Sequence, residues 1–408
     1  MKSGSSRRRE RQAFSGGSSV KPSLLCFSHL RWNFVFQRPQ HLLSRLAAHY
    51  RVLFIEEPIH DGGKTRLEIS AGGPGVSIIR PRTPLHSPGF ADDQLNLLGP
   101  MVAELLAGAE IGQYIVWFYT PLALPLLEGL QPRAIVYDCM DELSAFAGAP
   151  PQLREREAQL MLRANLVLTG GPSLYEAKKH FHPHVLCLPS SVDADHFSVD
   201  GRSGDEALVK RARELQGELS EPRLGYFGVI DERMDLDLVC RLADADPTWS
   251  VIMVGPIVKI DPDSVPRRPN LHWLGQQSYE LLPRLIEGWS VGLLPFALNE
   301  STRFISPTKT LEYMAAGKPA VSTPIKDVAT LYGNVVRIAR TPDEFVAACV
   351  AALEETPANR RDRLLAMQVT VSRSSWAGTA AAIHAALVDG LAATARRGVE
   401  ERTTEQLA

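Results

Sequence analysis

The stretch 306-SPTKTLEYMAAGKP-319 decides how this chain is read. It places a cation, Lys309, and a carboxylate, Glu312, near the start of a short helix. Gly317 and Pro319 close that helix, and an apolar strand, AVST, follows at once. A helix N-terminus attracts anions, because its free N–H groups and the positive end of its dipole point outward. Ser306 and Thr308 are the expected caps, and Pro307 suits the first helical position. Lys309 adds a full positive charge there. Glu312, about one turn on, is placed to accept two hydrogen bonds from neighbouring hydroxyls. Phosphates at a helix mouth with a diol beside them describe a nucleotide. The competing reading is an ordinary capped helix in an α/β domain.

Around this segment the chain alternates short apolar strands with helical stretches. In the second half the strands are LGYFG, SVIMVG, LHWLG, SVGLLPF and PAVST. In the first half they are SLLCFSH, RVLFIE, VSIIRP, YIVWFY, AIVYD, LVLTG and VLCLP, with a helix expected over residues 39–49. Such alternation means parallel sheets covered on both faces, and two doubly wound α/β domains with ligands at the carboxyl ends of their strands. A length of 408 residues is too great for one ordinary core. The Ala-rich end, residues 342–394, reads as amphipathic helix.

Composition narrows the partners. With 45% hydrophobic and 22% charged residues the chain is of globular type, and a formal net charge of −2 points away from nucleic acid. Its five scattered cysteines form no CxxC pair and read as reduced thiols of the cytosol. No apolar run approaches the ~18–20 residues that span a bilayer. The start, MKSGSSRRRERQAFSGGSSVKPS, lacks the apolar region of a secretory signal and reads as a disordered basic arm. Contact of that arm with an anionic membrane surface is the alternative to a solvated tail.

Other segments carry candidate chemistry. Gly228 ends the strand LGYFG and lets phosphates approach the backbone, while Arg233 in the next loop can pair with them bidentately. The alternative for Arg233 is an ion pair with Glu232 or Asp235. Gly255, ending SVIMVG, has the turn chemistry expected beside a nucleobase pocket. In the first half Asp138, Asp141 and Glu142 follow the strand AIVY, where a cleft is expected. Asp138 or Asp141 is the candidate to take a proton from an attacking hydroxyl; the competing role for each is capping the next helix. The loop 28-SHLRWNFVFQRPQH-41 mixes aromatics with donors, as sugar recognition requires. His29, Arg31, Trp32 and Arg38 are the acceptor-binding candidates there, against a packed structural loop. The HFHPH stretch (180–184) and the DxD strings at 193–195 and 244–246 are declined as metal sites.

Together these segments resemble the GT-B glycosyltransferases, specifically the group 1 or family 4-like set, from about residue 23 to 392. The most specific part is 306–319 followed by AVST. Residues 190-SSVDADHF-197 are close to that family's NGVDxxxF, and LGYFG, NLHWLG, ELLPRL, SVGLLPF and a helix containing Trp376 are also similar. The resemblance implies two Rossmann-like domains facing a cleft. The expected organisation is a tail (1–22), an acceptor-binding domain (23–199), a nucleotide-sugar-binding domain (200–372), a helix crossing back (373–394) and a polar tail (395–408).

By the same resemblance the chain moves a sugar, as a hexosyltransferase-type enzyme, from a nucleotide-diphosphate-sugar to a hydroxyl acceptor, saccharide or lipid-linked, in cell-surface polysaccharide or glycolipid synthesis. Glu312 would bind the donor ribose, and Arg233 and Lys309 the diphosphate, with no bound metal and no cofactor. A cytoplasmic location is expected, with peripheral contact at the inner face of the membrane as an option. Two departures stand out. Phe304 occupies the place, eight before Glu312, of the family's second glutamate, and Val229 stands where the first basic residue of GRxxxxKG belongs. They leave room for two alternatives: a nucleotide-sugar epimerase of the same fold, or a non-catalytic nucleotide-sugar-binding subunit.

Overall fold

The computed structural model describes residues 21–109, 111–198 and 205–407, the last part of the final helix (393–407) by its backbone only. The expected arm over 1–22 lies almost wholly outside the described residues.

Two sheets organise the chain. The first holds β1 (Ser23–Ser28), β2 (Arg51–Glu56), β3 (Ile59–His60), β4 (Arg66–Gly73), β5 (Val76–Thr83), β6 (Tyr114–Phe118), β7 (Ala134–Cys139), β8 (Leu166–Thr169) and β9 (Val185–Cys187). Its order is β3-β5-β2-β1-β6-β7-β8-β9, with β4 added antiparallel to β5. The second holds β10 (Arg223–Phe227), β11 (Ser250–Val254), β12 (Leu271–Trp273), β13 (Val291–Leu294), β14 (Ala320–Ser322) and β15 (Arg337–Ile338). It is wholly parallel, in the order β12-β11-β10-β13-β14-β15.

The continuous apolar runs arise because helices cover both sheet faces. Side chains alternate along a strand, so Leu25 and Phe27 of β1 enter one core while Leu24 and Cys26 enter the other. The second domain has its own core, built around Tyr226, Trp289, Leu293 and Tyr313.

The connections between domains lie side by side. Val192 and Phe197 already pack in the second core. The final helix, Trp376–Leu407, returns to the first domain, where Trp376, Ile383 and Leu387 are buried. Trp376 stacks on His41 at 4.7 Å, and Ser191 Oγ lies 2.8 Å from Thr379 Oγ1.

Candidate active site

The carboxyl ends of both sheets open on one interdomain cavity of about 690 Å³. Its second-domain wall contains Gly228, Arg233, Gly255, Lys309 and Glu312; its first-domain wall contains Trp32, Arg38 and Asp141.

The helix Lys309–Ala315 delivers the key cation and acid. Its start differs from the expectation: Thr308 is at the cap position, but no side chain caps the helix. The first turn closes instead through backbone bonds, Thr310 N–H to Pro307 O at 3.2 Å and Leu311 N–H to Thr308 O at 3.0 Å. The other end closes as read, with Gly317 at φ +68° and the Lys318 N–H donating to Tyr313 O at 2.9 Å. The Lys309 ammonium lies over the rings of Tyr226 and Phe296, 5.2 and 5.3 Å from their centroids. Burial holds its pKa below the ordinary lysine value, opposed by Glu312 and assisted by Arg233. Burial likewise raises Glu312, opposed by Lys309.

Two glycines make room for this arrangement. Gly228 has φ +136°, and a Cβ there would sit 2.8 Å from Lys309 Cε. Gly255 has φ +151°, and its Cβ would fall 1.8 Å from the Gly228 carbonyl oxygen. Gly255 therefore excludes a side chain on both conformational and steric grounds; Gly228 disfavours one by its backbone conformation, and a Cβ there would push the Lys309 side chain aside.

Arg233 is paired with a residue the sequence reading passed over. Its Nε lies 2.9 Å from Asp231 Oδ1 and its Nη2 2.7 Å from Asp231 Oδ2. Asp231 is buried at 4% exposure and also accepts the Arg233 backbone N–H at 3.0 Å. The planar guanidinium is thus oriented before any ligand arrives. Glu232 and Asp235 serve elsewhere, Asp235 as the cap of helix Leu236–Ala245.

On the opposite wall the two candidate acids have different fates. Asp138 is fully buried and locked to Arg38: Nε reaches its oxygens at 3.0 and 3.1 Å, and Nη2 lies 2.9 Å from Oδ1. Arg38 Nη1 also donates to Leu188 O at 2.9 Å. A carboxylate so enclosed anchors an arginine and does not meet an acceptor, so Asp138 leaves the set of candidate bases. Asp141 lines the cavity, and its carboxylate has no ion-pair partner among the described residues. Burial raises its pKa, with Arg233 opposing.

The acceptor candidates separate in the same way. Trp32 borders the cavity, but its Nε1 donates inward to Gly72 O at 3.1 Å. Arg38 contributes to the wall with its charge already matched. Arg31 is held off the cavity by Glu56 Oε2 at 3.3 Å and by the carbonyls of Glu57 and Pro58. His29 lies beneath the wall, where burial lowers its pKa to about 4 and leaves Nδ1 without a partner. Arg31 and His29 therefore shape the loop and do not line the cavity.

Several site residues had no signature in the sequence. Phe36 stacks on Tyr279 across the domains at 4.5 Å, and Gln276 Nε2 donates to Phe34 O. Phe304, in the place of the family's second glutamate, packs against the core of the first domain. Glu300 does not replace that glutamate: it is exposed and pairs with Arg303 at 3.6 Å. The declined metal strings have ordinary partners. His182 is buried against Ala164 O, Asp193 pairs with Arg45 and Asp244 with Arg268.

Two facing parallel-sheet domains with a cation and an acid at the cleft have the GT-B glycosyltransferase architecture. Residues 221–355 match the family model described as glycosyl transferases group 1, so the resemblance read from the sequence holds. Among curated proteins the chain is similar to TuaH of Bacillus subtilis (strain 168), named as a teichuronic acid biosynthesis glycosyltransferase. The two are 24% identical over 276 residues, 63% of this chain and 68% of TuaH. Among solved structures it is similar to Anabaena HepE in complex with UDP and glucose, with a TM-score of 0.66 at 16% identity over 90% of this chain and 100% of that one. Sucrose-phosphate synthase of Thermosynechococcus elongatus gives a TM-score of 0.68 at 14% identity over 91% and 100% of the two chains. These structural likenesses show the fold.

Proposed function

We propose that this chain transfers a sugar from a nucleotide-diphosphate-sugar to a hydroxyl acceptor in cell-surface polysaccharide synthesis. The observation that carries the reading is the pairing of Lys309 and Glu312 on one short helix at the cavity wall, backed by two glycines in backbone conformations that side chains rarely adopt. HepE was solved with UDP, which supports a uridine donor, and TuaH is named for teichuronic acid biosynthesis, which supports a saccharide acceptor.

Lys309 and the preoriented Arg233 face the donor diphosphate and offset the charge that grows as the glycosidic bond breaks. In this reading they do the work a metal does elsewhere, and no cofactor is needed. Glu312 accepts hydrogen bonds from the ribose hydroxyls. Asp141 takes the proton of the acceptor hydroxyl as the new bond forms; its raised pKa brings it nearer the operating pH of a general base. Trp32 and the Arg38 wall border the acceptor, and closure of the two domains over the bound substrates keeps water from competing. Among the described residues no helix is long and apolar enough to cross a membrane. A cytoplasmic location goes with this reading, with peripheral membrane contact where the acceptor is lipid-linked.

The test is calorimetric binding of UDP, GDP, ADP and TDP to wild type and Glu312→Ala, followed by product analysis with the sugar nucleotide of the base that binds. Selective binding lost in the variant, with sugar appearing on an acceptor, supports a transferase. An epimerised donor without acceptor consumption would replace it with an epimerase, and binding without turnover on any acceptor would replace it with a non-catalytic subunit.

A further inference from the structure

The chain that follows β7 leaves the first domain and meets the face of the second. After Asp141, residues Leu143–Ala145 make one tight turn, and the half-buried Phe146 comes next. Its ring receives two cations from the opposite domain. Arg233 Cζ lies 5.4 Å from the ring centroid and Lys259 Nζ 5.0 Å. The loop backbone is tied to the same surface, the Ala147 N–H donating to Glu232 Oε1 at 3.1 Å. Lys259 reaches the ring from φ +61°, the one non-glycine residue of positive φ among those described. That left-handed conformation is unfavourable for a lysine.

A cation within ~6 Å of an aromatic centroid is attracted by the ring's negative face. A leucine in this seat would fill similar space and attract neither cation. The ring therefore does something that apolar packing alone does not require.

We propose that Phe146 is a positioning residue of the transfer reaction: held by Arg233 and Lys259, it seats the first-domain loop on the donor domain and so fixes Asp141 at the reacting face of the cleft. The inference rests on the reading of this cleft as a nucleotide-sugar site. The donor domain supplies the cations, and the acceptor domain supplies the ring and the acid. The arrangement of the two domains in this structure brings them together. Phe146 is not on the cavity wall, and Arg233 keeps its Asp231 pair without it. Its loss therefore acts on turnover and leaves nucleotide binding in place.

The experiment compares the full chain as wild type, Phe146→Leu, Phe146→Trp and Lys259→Met. UDP is titrated into each by calorimetry, hydrogen exchange is followed for residues 143–149 with and without UDP, and turnover is measured with the donor and acceptor identified for wild type. The UDP Kd is expected to stay within about threefold throughout. The Leu and Met variants exchange faster in the loop and lose roughly five- to twentyfold in kcat, from the size of a cation–π contact, whereas Trp stays near wild type. Equal behaviour of Leu and wild type, or equal failure of Leu and Trp, would overturn the proposal and leave Phe146 as packing only. Failure of the wild type to bind any nucleoside diphosphate strikes the donor-site reading instead. The exchange comparison then still reports whether the ring holds the loop.

Discussion

Replacing Asp138 with leucine gives the sharpest division between a base and an anchor. Arg38 has 2% of its side chain exposed and Asp138 none, and their charges meet at 2.9–3.1 Å. Removing the carboxylate leaves the guanidinium buried with one remaining partner, the Leu188 carbonyl at 2.9 Å. Breaking a buried pair from one side costs about 3–5 kcal/mol. The retained carbonyl bond puts the expectation near the lower end, about 3 kcal/mol. The double variant Arg38→Met, Asp138→Leu should recover most of that loss, because two apolar residues need no compensation. The assay is urea unfolding read by hydrogen exchange, with peptides from β7 and β8 reporting the first domain and peptides from β10 and β11 as the internal control. Nucleotide binding, proposed above for the second domain, should survive in both variants. If Asp138→Leu unfolds within about 1 kcal/mol of wild type while turnover is abolished, the anchor assignment is wrong and Asp138 regains the role of base.

Further outcomes test the donor side and the remaining acid. Gly228→Ala would set a Cβ 2.8 Å from Lys309 Cε in a backbone region that disfavours alanine, so UDP affinity measured by calorimetry should fall by about tenfold or more through displaced charge. Asp141→Asn should lower kcat by ~10²–10⁴-fold with the UDP Kd nearly unchanged; an equal loss in both would mark it as a donor contact. The pH dependence of UDP binding should be bell-shaped. Affinity rises with pH as Glu312, whose pKa is raised, becomes a carboxylate, and falls as Lys309, whose pKa is lowered, gives up its proton. Lys309→Arg, permanently charged, should remove the alkaline decline, and a flat profile in wild type would contradict this account.

The alternation of apolar runs with helices was sufficient to read both sheets, because parallel strands buried on both faces leave that pattern directly. β3, β4 and β15 escaped it for physical reasons. β4 is an edge strand with many exposed positions, and β3 and β15 have two residues each. The second-domain wall was legible because its groups come in short-range sets, Gly228 with Arg233 and Lys309 with Glu312, at a glycine turn or a helix start. The first-domain wall was less so. Asp138 and Asp141 stand three residues apart in one acidic cluster, yet β7 buries the first against Arg38 and the loop carries the second into the cleft. A partner 100 residues away decided which acid is free. Phe36 with Tyr279, and Phe146 with Lys259, meet only across the closed domains, so no local pattern could announce them.

The adjacency of Ser191 and Thr379 carries a mechanical consequence. The chain crosses between domains once before the second core and once after it, and these crossings are bonded to each other at 2.8 Å. They behave as a single pin and not as posts at opposite ends of a door. A rotation about such a pin displaces each contact in proportion to its distance from it. The Phe36–Tyr279 stack, linked through His41 to Trp376, lies on a short arm and moves little. Contacts on longer arms part first. The same pin makes the C-terminal helix part of the bearing: trimming the chain before Trp376 would loosen the domain built from its opposite end.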